Sequence, residues 1–274
     1  MILRTILVVM TVLICSAQAD ASPERLRTIA TEPSADRIEQ DIRKLVGFGT
    51  RHTLSETESD TRGIGAARRW IKSEFERISR DCGGCLTVYF QSDVVSGERR
   101  IPEPVEVVNV IAVLKGKSDS NRYVIMSGDI DSRVSDPMDA TSDSPGANDN
   151  ASGLAGTLEA ARVLSQYEFP ASIVFAGLSG EEQGLFGGKI MARQAKEDGW
   201  NIEAVLNNDM IGNIEGINGV IDNATIRVFS EATRPNESAE HARLRRFTGG
   251  EIDSPSRNLA RYIDRLADEY IRNL

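Results

Sequence analysis

Six acidic side chains stand where they could share one piece of chemistry: Asp129 and Asp131, Asp149, Glu181 and Glu182, and Asp209. Each group follows a strand-like apolar run or the loop beyond one: Tyr123 to Met126, then a long polar loop, then Ser172 to Leu178, then Ala204 to Leu206. In open α/β sheets, ligands bind outside the carboxyl ends of the strands. Carboxylates from distant parts of a chain that meet at such an edge repel one another unless a cation joins them. The pattern therefore predicts a divalent-cation site. Taken singly, each residue has a plainer use. Asp149 can cap the helix after it, and Glu181 can sit in a first turn and complement the helix dipole. The set carries the argument, together with Gly146, Gly153, Gly177, Gly180 and Gly184 around it, which permit close backbone approach.

Positioning these groups requires alternating strands and helices. Asp36 to Leu45 has helical spacing, with Ile38, Ile42 and Leu45 on one face. Ile64, Ala67, Trp70, Ile71, Phe75 and Ile78 predict a second helix that Asp60 or Thr61 could cap. Strands are expected at Leu86 to Phe90, Val105 to Leu114, Tyr123 to Met126, Ser172 to Leu178 and Ala204 to Leu206, with another at Ile226 to Phe229. Helices are expected around Leu154 to Leu164, Leu185 to Ala195 and Leu259 to Ile271, the last with Leu259, Tyr262, Ile263, Leu266 and Tyr270 on its apolar face. Residues 20 to about 35 read as a loose lead-in, and Ser132 to Asn148 as a long loop of the kind that usually serves a function. The fold class is α/β: a mixed, mostly parallel central sheet with helices on both faces.

Three ordered stretches resemble the motifs of the secreted zinc-dependent aminopeptidases, the group of bacterial leucyl aminopeptidases, aminopeptidase Y and glutamate carboxypeptidases. They are Pro145-Gly146-Ala147-Asn148-Asp149-Asn150-Ala151-Ser152-Gly153, Ser179-Gly180-Glu181-Glu182-Gln183-Gly184-Leu185-Phe186-Gly187-Gly188 and Asn208-Asp209-Met210-Ile211-Gly212. The resemblance runs from about residue 105 to 215. It implies two zinc ions bridged by Asp149, with Asp209 on the first and Glu182 on the second. It also implies that Glu181 is the general base, taking a proton from the water that attacks the peptide carbonyl.

Two departures from that pattern matter. The family usually carries His-x-Asp where this chain has Asp129-Ile130-Asp131. Asp129 can still be a ligand through oxygen, whereas Asp131, the second candidate catalytic residue beside Glu181, has no imidazole to orient. A first site formed by Asp129, Asp149 and Asp209 offers only oxygen, which weakens the preference for zinc and admits manganese or calcium. The family also supplies a late His to the second metal. The chain has only His52 and His241, and each reads as a surface or hydrogen-bonded residue. The expectation is a metallopeptidase core that is C-terminally truncated.

The remaining residues bound the setting. The chain has 274 residues, 40% of them hydrophobic, enough for a sizeable core. Its net charge of -9 argues against nucleic acid, which needs clustered Lys and Arg. Arg4, the apolar run Ile6 to Ile14 and Ala17-Gln18-Ala19 read as a signal peptide at residues 1–19, with an uncleaved anchor as the rival reading. Export to the periplasm or outside follows, with no stable membrane span after cleavage. The exported part divides into an N-terminal helical and strand portion, 20–100, and the metallopeptidase core, 101–274. Cys82-Gly83-Gly84-Cys85 suits a structural disulfide, the alternatives being a redox or a zinc pair.

The expected function is a metal-dependent exopeptidase acting on peptide N-termini. Two alternatives stand beside it: a non-catalytic binding protein on the same scaffold, and a glutaminyl cyclase-type reaction, which needs a single zinc.

Overall fold

The computed structural model describes residues 22–231, 233, 237–250 and 252–271. The expected signal peptide lies outside the described residues. Among these residues no helix is long and apolar enough to cross a membrane.

The chain opens with helix α1, Pro23–Thr31, in place of the expected loose lead-in. Ser22 accepts a hydrogen bond from the Arg25 amide, and Pro23 supplies the preset φ of a first helical turn. Helix α2, Ala35–Val46, begins on the Ser34 cap. Helix α3, Gly63–Asp81, differs from expectation at its start. Neither Asp60 nor Thr61 caps it; the Ile64 amide donates to Ser55 Oγ at 2.9 Å instead. A disulfide joins Cys82 to Cys85 at the turn into strand β1, Leu86–Val95. The zinc reading of this pair gives way to a bond that pins the end of α3 to the start of the sheet.

Strand β2 is Val105–Leu114. Strand β3, Asp119–Asp129, starts four residues before the expected apolar run. Its polar first residues carry no hydrophobic pattern, yet they pair with the neighbouring strands. Helix α4, Gly153–Leu164, leads to β4, Ala171–Leu178, and helix α5, Phe186–Glu197, leads to β5, Asn201–Asn207. Helix α6, Ala239–Thr248, forms within a stretch that is merely polar in sequence. Ile226 to Phe229 is irregular and exposed rather than a strand. Helix α7, Pro255–Tyr270, starts earlier than its apolar residues because Ser254 caps it, and none of its residues is buried.

The sheet order is β1-β2-β4-β3-β5. β4 pairs parallel with β3, and β3 parallel with β5, while β2 is antiparallel to both β1 and β4. Four strands thus point one way and β2 runs against them, the mixed sheet expected. From β3 the chain crosses through α4 to β4 on one side. From β4 it crosses back through α5 to β5 on the other. Right-handed crossovers in opposite directions put their helices on opposite faces. The core shows this. Val110, Ala112, Leu114 and Phe175 pack with α2, α3 and α4, whereas Ile111, Ile125, Val174 and Ala176 pack with Met191 of α5. Alternate residues of β2 thus serve opposite cores, as the period of two requires. β5 closes the sheet at one edge with Ile202 and Val205 exposed.

This reversal of direction creates the crevice at the carboxyl ends of β3, β4 and β5. Two glycines let the elements close on it. A Cβ on Gly128 at the end of β3 would lie 2.6 Å from the Gly153 carbonyl carbon. A Cβ on Gly153 would lie 2.1 Å from the Asn208 carbonyl oxygen. The start of α4 is thereby pressed against β3 and the segment leaving β5. Gly153→Ala should destabilise the fold by about 1–3 kcal/mol, as overpacking against backbone does. Gly188→Ala, in the interior of α5 with nothing within 4 Å of the added Cβ, should be neutral or stabilise by up to about 1 kcal/mol. Urea unfolding of the two variants against the native chain measures both signs.

Candidate metal centre

Each acidic residue named from the sequence lies at this edge. Asp129 ends β3, and Asp131 follows two residues later. Asp149 lies in the π-type turn Ala147–Ser152 that feeds α4, and the peptide between Asp149 and Asn150 is cis. Glu181 and Glu182 occupy the turn between β4 and α5, and Asp209 follows β5. Asp149 is therefore no N-cap, and Glu181 lies before the helix rather than in its first turn.

The side chains feel one another. Burial first, then Asp131, Glu181 and Asp209, push the Asp129 carboxyl up to about 7. Burial, then Asp131, Glu182, Asp209 and Asp149, push Glu181 up to about 7. Glu182 is raised by burial, with Asp149 and Asp131 adding to it, and Asp209 by burial and by Asp149. Six chain-distant carboxylates thus share one electrostatic site.

What holds them there is a set of neutral donors and one buried cation. Asn150 Nδ2 donates to Asp129 Oδ2 and to the Asn208 carbonyl, both at 2.9 Å. Its Oδ1 accepts from the amides of Gly153 at 3.1 Å and Met210 at 3.3 Å. One amide side chain therefore ties β3, α4 and the segment after β5 together. Asp131, buried, accepts from Thr53 Oγ1 at 2.9 Å and from the amides of Glu181 at 3.2 Å and Glu182 at 3.1 Å. With no ring to orient, Asp131 instead aims the backbone of the two glutamates, and so sets their side chains apart.

Arg51 is 1% exposed. Its guanidinium donates to the carbonyls of Ile130 at 2.8 Å, Leu45 at 3.1 Å, Pro145 at 2.8 Å and Gly146 at 2.9 Å. Burial lowers it to about 10, opposed by Asp131 and Asp149, so it stays charged at neutral pH. Gly146, with φ of 46°, makes the approach to Arg51 possible: a Cβ there would lie 2.4 Å from the Asp149 carbonyl and 2.9 Å from Arg51 Nη2. Arg133 forms an ion pair with Glu182 Oε2, and Arg100 donates to the Glu182 carbonyl.

Neither histidine joins the cluster. His52 is fully buried. Its Nδ1 accepts from the Leu54 amide at 3.1 Å, which puts the proton on Nε2, facing the Pro137 carbonyl at 3.0 Å. Gln183 Nε2 lies 3.1 Å from the same ring nitrogen and donates to the Pro137 carbonyl at 3.4 Å. His52 thus ties the long loop to the glutamate turn. His241 lies in α6 beside Glu237.

The donor set suits a divalent cation in charge and hardness, and it is all oxygen. Among the described residues no three His, Cys, Asp or Glu side chains already converge on one point as a cage. Arg51, Thr53, Arg133 and Asn150 are part of the site without standing out in the sequence. Asn150 has a usable signal there, its place inside the Asp149 motif. A buried arginine has none, because charge alone predicts a surface.

The raised carboxyls have a testable consequence. Protonated Asp129 is nearly isosteric with Asn, whereas ionised Asp129 is repelled by its neighbours. A carboxyl raised in the folded state contributes stability that is lost as pH rises from about 4, its unfolded value, through about 7. Asp129→Asn in metal-free protein should therefore melt above the native chain at pH 7.5, and the two should coincide near pH 4. The gap should be several degrees, since about 1 kcal/mol moves a domain of this size by about 2–4 °C. Thermal melts across pH in the presence of a chelator measure it.

A sequence profile of peptidase family M28 matches residues 109–253. A protein of Pyrenophora teres f. teres called a probable zinc metalloprotease is 46% identical over 241 residues, 87% of this chain and 50% of its own length. The chain spans about half the length of the curated relatives it matches. Among solved structures, a leucine aminopeptidase precursor from Bacteroides thetaiotaomicron is similar with a TM-score of 0.52 and 20% identity, over 69% of this chain and 65% of its own. A glutaminyl cyclase from Porphyromonas gingivalis is similar with a TM-score of 0.54 and 21% identity, over 66% of this chain and 62% of its own. Both likenesses concern the fold. Their differing names show that the fold alone does not decide the reaction.

Proposed function

The chain belongs to peptidase family M28, and from that premise we propose that it is a zinc-dependent peptidase that releases residues from the N-termini of peptides. The observation that carries this reading is the meeting of Asp129, Asp131, Asp149, Glu181, Glu182 and Asp209 at one sheet edge, where burial and then neighbouring carboxylates raise Asp129, Glu181, Glu182 and Asp209, and burial raises Asp131. Such a set is costly for the fold to hold without a cation and useful with one. The relatives' name supports zinc, and the match of Asp149 and its neighbours to the family motif, which implies a carboxylate shared between two metals, supports two ions. Asp129, Asp149 and Asp209 would hold the first, and Asp149 with Glu182 the second. Bound there, a divalent cation polarises a carbonyl and stabilises the charge that develops on its oxygen.

The chain's own residues do the rest. Glu181 takes the proton of the attacking water on its carboxylate and returns it to the leaving amine. A carboxyl lifted to about 7 by burial and by its neighbours is matched to that exchange near neutral pH. Asp131 is a positioning residue: it fixes the amides of Glu181 and Glu182, so that one glutamate handles the proton while the other stays a ligand. Arg51 holds the Pro145-Gly146 turn, and thereby the entry of Asp149. We infer export from the leader-like sequence of residues 1–19, which suits an enzyme acting on external peptides.

The cyclase-type alternative is separated by metal stoichiometry, one zinc against two. The non-catalytic alternative draws on the absence of imidazole from the cluster among the described residues.

The direct assay is zinc-dependent release of the chromophore from a panel of aminoacyl p-nitroanilides. Glu181→Gln should lower kcat by about 10²–10⁴-fold while zinc still binds, and Asp149→Asn should lose zinc and activity together. A zinc-loaded chain with native stability and no turnover of aminoacyl substrates or short peptides would overturn the peptidase reading.

A further inference from the structure

Glu182 is held on three sides. Its amide donates to Asp131 Oδ2 at 3.1 Å, and its carbonyl accepts from Arg100. Its backbone is thereby fixed, and only the carboxylate is free to turn. That carboxylate is paired with Arg133. The two side chains are 11% and 33% exposed, so the pair is shielded more than a surface ion pair. Arg133 is not a loose arm either. Its Nη1 donates to the carbonyls of Val134 at 3.1 Å and Ser135 at 3.4 Å, within its own loop. The guanidinium is therefore kept beside Glu182 by contacts that do not depend on Glu182. Among the described residues, Glu182 is the proposed ligand that carries an ion pair.

We propose that Arg133 is a built-in counter-cation for Glu182, which a second divalent ion must displace before Glu182 can serve as its ligand. This rests on the reading of Glu182 as a ligand. A charge-assisted pair must be broken and a second positive charge brought up beside the guanidinium, and both weaken binding at that position. Among the described residues Asp129 and Asp209 carry no ion pair, and Asp149 feels the charge of Arg51 without being paired to it, the guanidinium being given to backbone carbonyls, so the chain should bind one ion tightly and a second more weakly. Arg133 then determines how fully the centre is loaded at a given zinc concentration, and is a positioning residue that acts through Glu182.

Calorimetric titration of the full chain with Zn²⁺ alone tests this, with melting of the metal-free protein as the second readout. The native chain should show two affinity classes. Arg133→Gln should tighten the weaker class about tenfold, leave the tighter class within twofold, and lower the metal-free melting temperature. Arg133→Lys, which keeps the charge but loses the planar fork, should fall between the native chain and Arg133→Gln. Should Arg133→Gln fail to fold, a tightening of about threefold in Arg133→Lys supports the proposal in its place, and no tightening overturns it. Glu182→Gln separates the two levels of the reading. If it weakens the second class while Arg133→Gln leaves that class unchanged, the competition is refuted and the ligand role survives. If Glu182→Gln changes neither class, Glu182 is not a ligand, and the proposal falls with that reading.

Discussion

Like charges held close together are the constraint from which the rest of this structure follows. Six carboxylates share one sheet edge, and a folded chain tolerates that only if every backbone segment bearing them is held from behind. The holding groups are neutral or positive and mostly buried: the amide of Asn150, the hydroxyl of Thr53, the backbone N–H groups of Glu181 and Glu182, and the guanidinium of Arg51. None of them relieves the repulsion fully. Burial first, and the neighbouring carboxylates after it, keep Asp129 and Glu181 lifted to about 7. Stability is given up locally so that the negative charge stays concentrated, the usual relation between strained electrostatics and function.

The scaffold makes such a concentration geometrically cheap. Reversing the direction of crossover between β3 and β4 brings three strand ends and their loops to one place, with α4 and α5 on opposite faces. Gly128 and Gly153 then remove the last ångströms between strand, helix and the segment after β5. The leucine aminopeptidase precursor and the glutaminyl cyclase are similar to this chain in fold while differing in name. The reaction must therefore be read from the side chains at the crevice rather than from the sheet behind it.

Much of this is legible in the sequence, for reasons that differ by element. The strands β2 and β4 are readable because they are buried on both faces and so are almost continuously apolar. β3 reads short because its first residues are polar and are recruited only by pairing with neighbours, a tertiary effect with no local signature. α1 and α6 leave little trace because they bury little and rest on caps, Ser22 and Ser238, rather than on an apolar stripe. Ile226 to Phe229 shows the converse: β-branched residues without a partner strand do not make a strand. In the site, Asp149, Glu181, Glu182 and Asp209 can be named from motif and spacing. The residues that orient them cannot, because the roles of Thr53 and Arg51 come from contacts some 80 residues apart along the chain. Asp131 stands in a motif position whose role needs a histidine, and in the fold it aims two backbone amides instead.

The exposed edge at β5 bears on how the chain behaves in bulk. Among the described residues β5 pairs on one side only, with β3, and an edge of that kind with Ile202 and Val205 exposed is a template for another copy's edge. The net charge of -9 opposes that encounter through long-range repulsion between molecules. Salt shortens the reach of that repulsion to about 8 Å at physiological ionic strength, while the backbone pairing it prevents is barely screened. Colloidal stability is therefore set by the ionic strength of the medium as much as by the fold, and the same acidic surplus that burdens the carboxylate cluster keeps the molecules apart.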